Sequence, residues 1–304
     1  MIEMNLNERF SLPADEENRL HIIEELLKAY PNLCCRSIGK SLCGRELPVL
    51  TIGNQKELVL FSGAFHGMEW MTSLLLLKFM WQLCDTALHE GYLSDVRVGD
   101  FLERRGLMVA PCINPDGVEI SLHGSVAAVG YEELVYNAAH GDTPHWQANA
   151  RGVDLNHNFD ANWCDLHRRE QAAGFVSPSP TRYGGTHPES EPETRALTAL
   201  CRKQNIRHAL AFHSQGEEIY WDFGDCTPPR SDLMARVMAV SSGYTVSKPE
   251  GLAQGGGFKD WFLCEFNRPA FTIEIGKGEN PLPISDFPQI YDTLTEMLTL
   301  STIM

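Results

Sequence analysis

The chain has 304 residues, of which 43% are hydrophobic, and 40 acidic against 25 basic side chains give it a formal net charge of −15. This length fits one large α/β domain or two small ones, and the hydrophobic content is enough for a sizeable core. The acidic balance argues against nucleic acid or an anionic membrane as the main partner. No segment approaches the ~18 uninterrupted apolar residues of a membrane-spanning helix, so we expect no membrane insertion.

The amino terminus and the cysteines predict a cytoplasmic protein. Residues 1–9 lack the basic region and the apolar run of a signal peptide. The 9 cysteines are scattered without C-x-x-C pairs, which is typical of reduced thiols rather than of a disulfide framework. We therefore expect free thiols and no cysteine ligand to a metal.

Helices and strands alternate along the chain. An amphipathic helix with an acidic start is predicted over 15–30, and strands over 34–38 and 47–52 form a hairpin-like opening. The elements predicted after these are a strand at 58–65, a helix at 68–84, a strand at 107–113, a turn at 114–117, a helix at 191–207, a strand at 209–212, helices at 232–242 and 259–266, a strand at 270–275 and a helix after 287.

The segment from about 121 to 190 is rich in Gly, Pro, Asn and His and shows little periodicity. A stretch this long inside a compact domain is normally functional. We find no internal repeat and no linker between domains. The pattern predicts a single α/β domain over 1–304 with a largely buried, mixed sheet.

A histidine and a glutamate lie at a predicted strand-to-helix junction. His66 and Glu69 form an H-x-x-E motif between the apolar runs 58–64 and 70–81. Open α/β sheets usually hold their sites at this edge. Both side chains are good zinc ligands, and residues three apart on one helical turn point the same way. Because H-x-x-E also occurs by chance, a capped helix start with a surface acid is the alternative.

His213 is the candidate third ligand. Like His66, it directly follows a predicted strand. Two histidines and one carboxylate leave the fourth zinc position open for water, as catalytic zinc requires. The chain has 11 histidines, so an ordinary core or surface role is the alternative.

Glu274 lies in an apolar predicted strand, between Ile273 and Ile275. Burying an unpaired carboxylate is costly, so this residue needs either a partner or a function. Opposite a water activated by zinc it would act as general base and then pass the proton to the leaving amine. A structural ion pair is the alternative.

Five ordered motifs together resemble the zinc carboxypeptidase (M14) family, over roughly residues 20–285. They are Phe65-His66-Gly67-Met68-Glu69-Trp70, Asn114-Pro115-Asp116-Gly117, Gly152-Val153-Asp154-Leu155-Asn156-His157-Asn158-Phe159, Phe212-His213-Ser214 and Thr272-Ile273-Glu274. The resemblance implies one zinc ion bound by His66, Glu69 and His213, with Glu274 as base. It also implies the family's α/β fold, in which a mixed, mostly parallel sheet lies between helices.

Within that family the chain looks most like the bacterial γ-D-glutamyl-meso-diaminopimelate peptidases. This closer likeness rests on the segments 150–159, 213–221, 257–261, 274–276 and 279–281. Those enzymes cleave the amide between the side-chain carboxyl of D-glutamate and diaminopimelate in cell-wall peptides. The resemblance therefore implies a muropeptide substrate.

Three positions depart from the digestive enzymes of the family. Asn156-His157 stands where those enzymes have the Asn-Arg pair that holds a C-terminal carboxylate, and Leu252 stands where they have a mobile tyrosine. Imidazole binds carboxylate less firmly than the rigid, permanently charged guanidinium, so the requirement for a free carboxylate should be relaxed. Lys259 aligns with the residue that lines their specificity pocket.

A lysine at that position favours an anionic side chain after the cleaved bond, and the far end of diaminopimelate carries a carboxylate. The alternative for Lys259 is a solvent-facing residue on a helix. Arg151 is the candidate for holding the developing oxyanion, with the alternative that it fastens the 121–190 segment. Asn156, His157 and Gln215 complete the candidate substrate-binding residues.

The leading hypothesis is thus a zinc peptidase that acts on muropeptides. The alternatives are an ordinary metallocarboxypeptidase, a deacylase of N-acyl amino acids, and a catalytically silent zinc-containing protein that binds wall peptides. The pair Asn156-His157 argues against the first, and Glu274 argues against the last because a binding protein needs no buried base. The sequence determines neither the oligomeric state nor the preferred peptide length.

Overall fold

The computed structural model describes residues 6–304 and is built on an eight-stranded sheet. Residues 1–5, on which the signal-peptide prediction partly rests, lie outside this range. The strands are β1 (Cys34–Lys40), β2 (Glu46–Gly53), β3 (Leu58–Ser62), β4 (Tyr92–Leu93), β5 (Val96–Arg97), β6 (Gly106–Ala110), β7 (Ile206–His213), β8 (Glu218–Tyr220), β9 (Thr245–Ser247) and β10 (Ala270–Glu274).

The order of strands across the main sheet is β1-β2-β6-β3-β7-β10-β8-β9, and β4 pairs with β5 in a separate ribbon. The neighbours β6 and β3, β3 and β7, β7 and β10, and β8 and β9 run parallel. The remaining pairs of the main sheet run antiparallel. The predicted mixed, mostly parallel sheet is confirmed.

Helices cover both faces of this sheet. Within residues 6–304 they are α1 (Leu6–Arg9), α2 (Glu16–Ala29), α3 (Met71–Leu88), α4 (Val98–Arg104), α5 (Pro115–His123), α6 (Glu132–Ala139), α7 (Trp163–Ala172), α8 (Pro192–Lys203), α9 (Arg230–Ser242), α10 (Phe258–Phe266) and α11 (Phe287–Ile303). Helices α2, α3, α9 and α11 contribute to the larger hydrophobic cluster, and α8 and α10 contribute to the cluster on the other face.

Strand β3 shows how the sequence directs this burial. Val59 and Phe61 pack into the cluster with α2, α3, α9 and α11, whereas Leu58 and Leu60 pack into the cluster with α8 and α10. Every residue of β3 is buried. A parallel strand covered on both faces has a continuous apolar sequence, because successive side chains point to opposite faces.

A turn was predicted at 114–117, but the structure has the start of a helix there. The predicted turn at 114–117 is the start of α5, where the Asn114 side chain accepts a hydrogen bond from the Gly117 N–H at 2.9 Å and Pro115 follows the cap. Asparagine caps helices and proline is tolerated in the first turn, so the same residues suit a helix start. The 121–190 segment also contains the helices α6 and α7.

The prediction that the cysteines are reduced thiols was wrong for one pair. Cys226 and Cys264 form a disulfide although they are 38 residues apart, and the other seven cysteines are free. Such a long spacing leaves no local signature in the sequence. It is the packing of α10 beside the turn before α9 that brings the two sulfurs together. The disulfide removes the support that cysteine usage gave to a cytoplasmic location.

Within residues 6–304, no helix combines the length and the apolar content that crossing a bilayer requires.

A buried histidine makes stability depend on pH. His208 in β7 is 0% exposed, its Nε2–H donates to the Ser301 carbonyl oxygen at 2.7 Å, and burial lowers its pKa from 6.5 to about 3. The unfolded chain binds a proton at His208 below about pH 6.5 and the folded chain does not, so the unfolding free energy falls as pH drops through that range. His208→Gln keeps an amide donor without titrating, so its stability should fall less steeply between about pH 7 and pH 4 in urea unfolding.

The matched control is His89→Gln, because the His89 side chain is 69% exposed. This variant should follow the wild-type pH dependence. Parallel pH profiles for wild type and His208→Gln would contradict the assignment of the effect to His208.

Candidate active site

The site lies where three neighbouring parallel strands end. Strands β3, β7 and β10 are adjacent, and His213 at the end of β7 is in register with Glu274 at the end of β10. His66 follows β3 after three intervening residues, 63–65. Because the carboxyl ends of parallel strands meet at one edge of a sheet, residues from three distant motifs come together there.

A close backbone contact fixes the turn that carries the H-x-x-E motif. The residues Gly67–Glu69 form a short 3₁₀ turn before α3, which begins at Met71 rather than at the predicted residue 68. A Cβ atom on Gly67 would lie 2.1 Å from the Gly117 carbonyl oxygen in α5. Only glycine therefore allows the motif and the first turn of α5 to pack this closely.

The three predicted metal ligands converge on one point. The Nδ1 atoms of His66 and His213 are 3.3 Å apart, and the two carboxylate oxygens of Glu69 lie 2.7 Å and 3.0 Å from them, respectively. Within residues 6–304 this is the one group of at least three His, Cys, Asp or Glu side chains whose ligand atoms all lie close together, within 4.8 Å. Two imidazole nitrogens and a carboxylate are ligands that zinc prefers, so these residues could hold a metal ion.

Glu69 stays ionised in this cluster. Burial acts to raise the pKa of Glu69, but its electrostatic and hydrogen-bond interactions with His66 and His213 outweigh it and lower that pKa to about 2. The side chain is 3% exposed. An ionised carboxylate between two imidazoles is the protonation state that a metal cation requires.

Asp154 orients His66 from behind. Its Oδ1 lies 3.1 Å from His66 Nε2, and its Oδ2 accepts the backbone N–H of Arg182 at 2.9 Å. Burial raises the pKa of Asp154, but the charges of His157 and His66 outweigh it and hold that pKa well below its usual range. An ionised Asp154 keeps the proton of His66 on Nε2 and leaves Nδ1 free to bind a metal.

Aromatic packing holds His213. Its ring stacks on Phe65, with centroids 5.2 Å apart, and Phe65 in turn packs against Phe159 and Phe258. His213 is 2% exposed. The imidazole orientation is thus set by rigid neighbours rather than by solvent.

Glu274 is partly buried at the end of β10, and its carboxylate is unpaired. Within residues 6–304 its carboxylate has no ion-pair or hydrogen-bond partner, so the structural ion pair considered as the alternative is not found there. Loss of solvation raises the pKa of Glu274 well above its usual value, and the nearby carboxylates Glu69 and Glu218 raise it further against the opposing charge of His66. A carboxylate with a raised pKa beside a metal site is suited to accept a proton.

A cavity of about 580 Å³ opens beside His66. It is lined by His66, Gln147, Asp154, His157, Thr181, Arg182, Glu250, Gly251, Leu252 and Ala253. The structure therefore places His157 and Leu252, two of the positions that depart from the digestive enzymes, on its wall.

A buried carboxylate holds His157 on that wall. Glu170 of α7 is 0% exposed, and its Oε1 lies 2.7 Å from His157 Nδ1. The other predicted substrate ligand of this pair, Asn156, uses its side-chain oxygen to accept the Phe258 N–H at 3.0 Å, which anchors the start of α10. Gln215 is exposed, and its side chain forms no hydrogen bond within residues 6–304.

Two predicted cations are already paired with carboxylates of the protein. Arg151 lies outside the lining of the cavity, and its Nη2 is 2.9 Å from Glu191 Oε2, which agrees with the alternative that it fastens the 121–190 segment. Lys259 is 5% exposed, so the solvent-facing alternative was wrong. Its ammonium contacts the Asp260 carboxylate and lies 2.9 Å from the Asp222 carbonyl oxygen, so its charge is not free.

Sequence reasoning missed Gln147, Glu170 and Arg182. All three lie in the 121–190 segment, whose length and lack of periodicity were the only signal that it is functional. Asp154 stood inside a quoted motif but was given no role.

These features agree with what comparison of the chain with known proteins shows. The chain belongs to the zinc carboxypeptidase family, whose profile it matches over residues 20–297. It is accordingly a zinc-dependent metallopeptidase.

Relatives and solved structures extend this assignment. The chain is 35% identical over 280 residues to gamma-D-glutamyl-L-diamino acid endopeptidase 1 of Lysinibacillus sphaericus, covering 91% of this chain and 69% of that protein. It is 31% identical over 281 residues to the uncharacterized protein YqgT of Bacillus subtilis, covering 91% and 73%. The fold is that of carboxypeptidase A from Helicoverpa armigera, with a TM-score of 0.74 at 21% identity over 97% of this chain and 74% of that one.

The position of Asp154 predicts its effect on metal affinity. Asp154→Asn keeps the size of the side chain but removes the charge that orients His66, so zinc should bind about 10–100-fold more weakly. Competition with a chromophoric chelator measures this affinity. Asp160→Asn is the matched control, because Asp160 is exposed and should leave the affinity unchanged. Equal affinity in the two variants would contradict the role of Asp154.

Proposed function

We propose that the protein hydrolyses the γ-D-glutamyl–meso-diaminopimelate amide of peptidoglycan peptides, with one zinc ion held by His66, Glu69 and His213. The observation that carries this proposal is the position of the unpaired, partly buried Glu274 beside that ligand cluster at the ends of neighbouring strands. The substrate class rests on the 35% identity to an enzyme named for a γ-D-glutamyl–diamino acid bond.

The protein's own residues supply proton transfer and orientation. Zinc, when bound at such a site, polarises a carbonyl group and makes water more acidic. Glu274 takes the proton from the attacking water and delivers it to the amide nitrogen that leaves. Asp154 keeps His66 in the tautomer and the orientation that metal binding requires.

The residues proposed to contact substrate differ in how well the structure supports them. His157 lines the cavity and is held there by Glu170. Arg151 would have to leave Glu191 to hold an oxyanion, and Lys259 would have to leave Asp260 to bind a substrate carboxylate. Roles in substrate binding for Asn156 and Gln215 stay predictions, as does the cytoplasmic location.

Digestion of defined peptides tests the reaction. The purified protein should release diaminopimelate from L-Ala-γ-D-Glu-meso-diaminopimelate, as detected by mass spectrometry, and a chelator should abolish the release. An all-L peptide with a free carboxyl terminus and an N-acetyl amino acid should be cleaved slowly or not at all. Preferred cleavage of the all-L peptide would favour an ordinary metallocarboxypeptidase, and preferred cleavage of the N-acetyl amino acid would favour a deacylase.

Replacement of Glu274 tests the proposed base. Glu274→Gln removes the proton acceptor and keeps the side-chain volume, so kcat should fall about 10²–10⁴-fold. Metal analysis should show zinc bound as in the wild type. Glu279→Gln, a change at an exposed residue five positions later, is the control and should retain activity. A Glu274→Gln protein with full activity and bound zinc would refute this role.

A further inference from the structure

The cavity beside the metal ligands contains a cation that the protein leaves unpaired. Within residues 6–304 the guanidinium of Arg182 has no ion-pair or hydrogen-bond partner, and it lies over the Phe175 ring at 5.8 Å. By contrast, Arg151 and Lys259 are both paired with carboxylates. Arg182 is an exposed residue on the wall of the cavity, so in a chain with a net charge of −15 its free guanidinium is available to bind an external anion.

The backbone ties Arg182 to the metal site. Arg182 has a φ angle of 63°, a left-handed conformation that residues with a side chain rarely adopt. Its N–H donates at 2.9 Å to Asp154, the same carboxylate that orients His66. One buried carboxylate thus fixes both a metal ligand and the point from which the Arg182 side chain extends.

Hydrogen-bond donors surround Arg182 on the same wall. The Thr181 hydroxyl donates to the side-chain oxygen of Gln147, which leaves the amide nitrogen of Gln147 unpaired. His157 stands on this wall as well, held by the buried Glu170. The wall therefore presents one permanent positive charge among polar groups, which suits a carboxylate better than an apolar side chain.

The other wall of the cavity is also fixed. Arg169 of α7 donates to the carbonyl oxygens of Gly251 and Gln254, each at 2.6 Å. This holds the turn that contains Leu252 and follows Glu250, an exposed acid without a partner within residues 6–304. The cavity thus offers both signs of charge, which complements a ligand that carries carboxylate and ammonium groups, such as a diamino acid.

We infer that Arg182, rather than Lys259, binds a carboxylate of the substrate and sets specificity for it; this rests on the proposed function. A γ-linked D-glutamyl-diaminopimelate has three carboxylates, because the γ-linkage leaves the α-carboxylate of glutamate free and diaminopimelate contributes one near the cleaved amide and one at its far end. The guanidinium binds one of them through its planar pair of N–H donors.

Four dipeptides test this inference and identify the carboxylate. They are γ-D-Glu-meso-diaminopimelate and its three monoamides, each lacking one carboxylate charge. With the zinc-loaded wild type, one monoamide should show a kcat/KM about 10–100-fold below that of the parent, mainly through KM, because a charged hydrogen-bond partner is lost. In Arg182→Gln the kcat/KM for the parent dipeptide should fall by a similar factor, and the kcat/KM for that monoamide should fall no further.

Controls separate recognition from folding. Arg182→Lys keeps the charge without the planar fork and should restore part of the preference for the parent. Arg236→Gln removes a charge from the exposed outer side of α9, where Arg236 is paired with Asp232, and should leave all four values unchanged. If Arg182→Gln lowers kcat/KM equally for all four dipeptides, or lowers it for none of them, the inference is overturned.

A binding measurement keeps this result independent of catalysis. Calorimetric titration of the four dipeptides into zinc-loaded Glu274→Gln, with and without Arg182→Gln, should show the same contrast between the parent and one monoamide in Kd. If the wild type cleaves none of the dipeptides, the proposed function is overturned. The role of Arg182 in binding still stands in that case, provided that the contrast in Kd is present and depends on Arg182. Binding without any contrast would overturn the role of Arg182, whatever the activity.

Discussion

The parallel pairing of β3, β7 and β10 is the constraint on which the site depends. Because the three strands are neighbours and run the same way, their carboxyl ends share one edge of the sheet. His66, His213 and Glu274 follow or end these strands, so side chains that are far apart in the chain meet at that edge. Burial on both faces keeps the strands in register, since a shift by one residue would turn every side chain to the opposite face.

A second layer of buried carboxylates converts this edge into a defined site. Asp154 fixes the tautomer of His66 and, through the backbone N–H of Arg182, one wall of the cavity. Glu170 in α7 holds His157, and its neighbour Arg169 holds the turn on the other wall. One helix thus supports both walls, so a change in α7 would alter the shape of the cavity without touching the candidate metal ligands.

Residue types and strand ends were enough to predict that His66, Glu69 and His213 come together with Glu274 beside them, because these side chains lie at or near the ends of apolar runs. The same reasoning did not show that Arg151 and Lys259 are paired with carboxylates. The sequence shows that a residue is cationic but not which carboxylate lies beside it, and folding pairs these two with Glu191 and Asp260. The disulfide between Cys226 and Cys264 escaped prediction for the same reason, since its spacing is set by packing and not by local pattern.

The sequence by itself determined the fold class and indicated the candidate metal ligands and the candidate base, because hydrophobic periodicity and the positions of strand ends are set locally in the chain. Only the tertiary structure decided which charges are free. It neutralised Lys259 and Arg151 and left Arg182 unpaired in the cavity. The physical reason is that the availability of a charge depends on its neighbours in space. These neighbours can be distant in the chain, as Glu191 is from Arg151 at 40 positions. They can also be adjacent, as Asp260 is to Lys259.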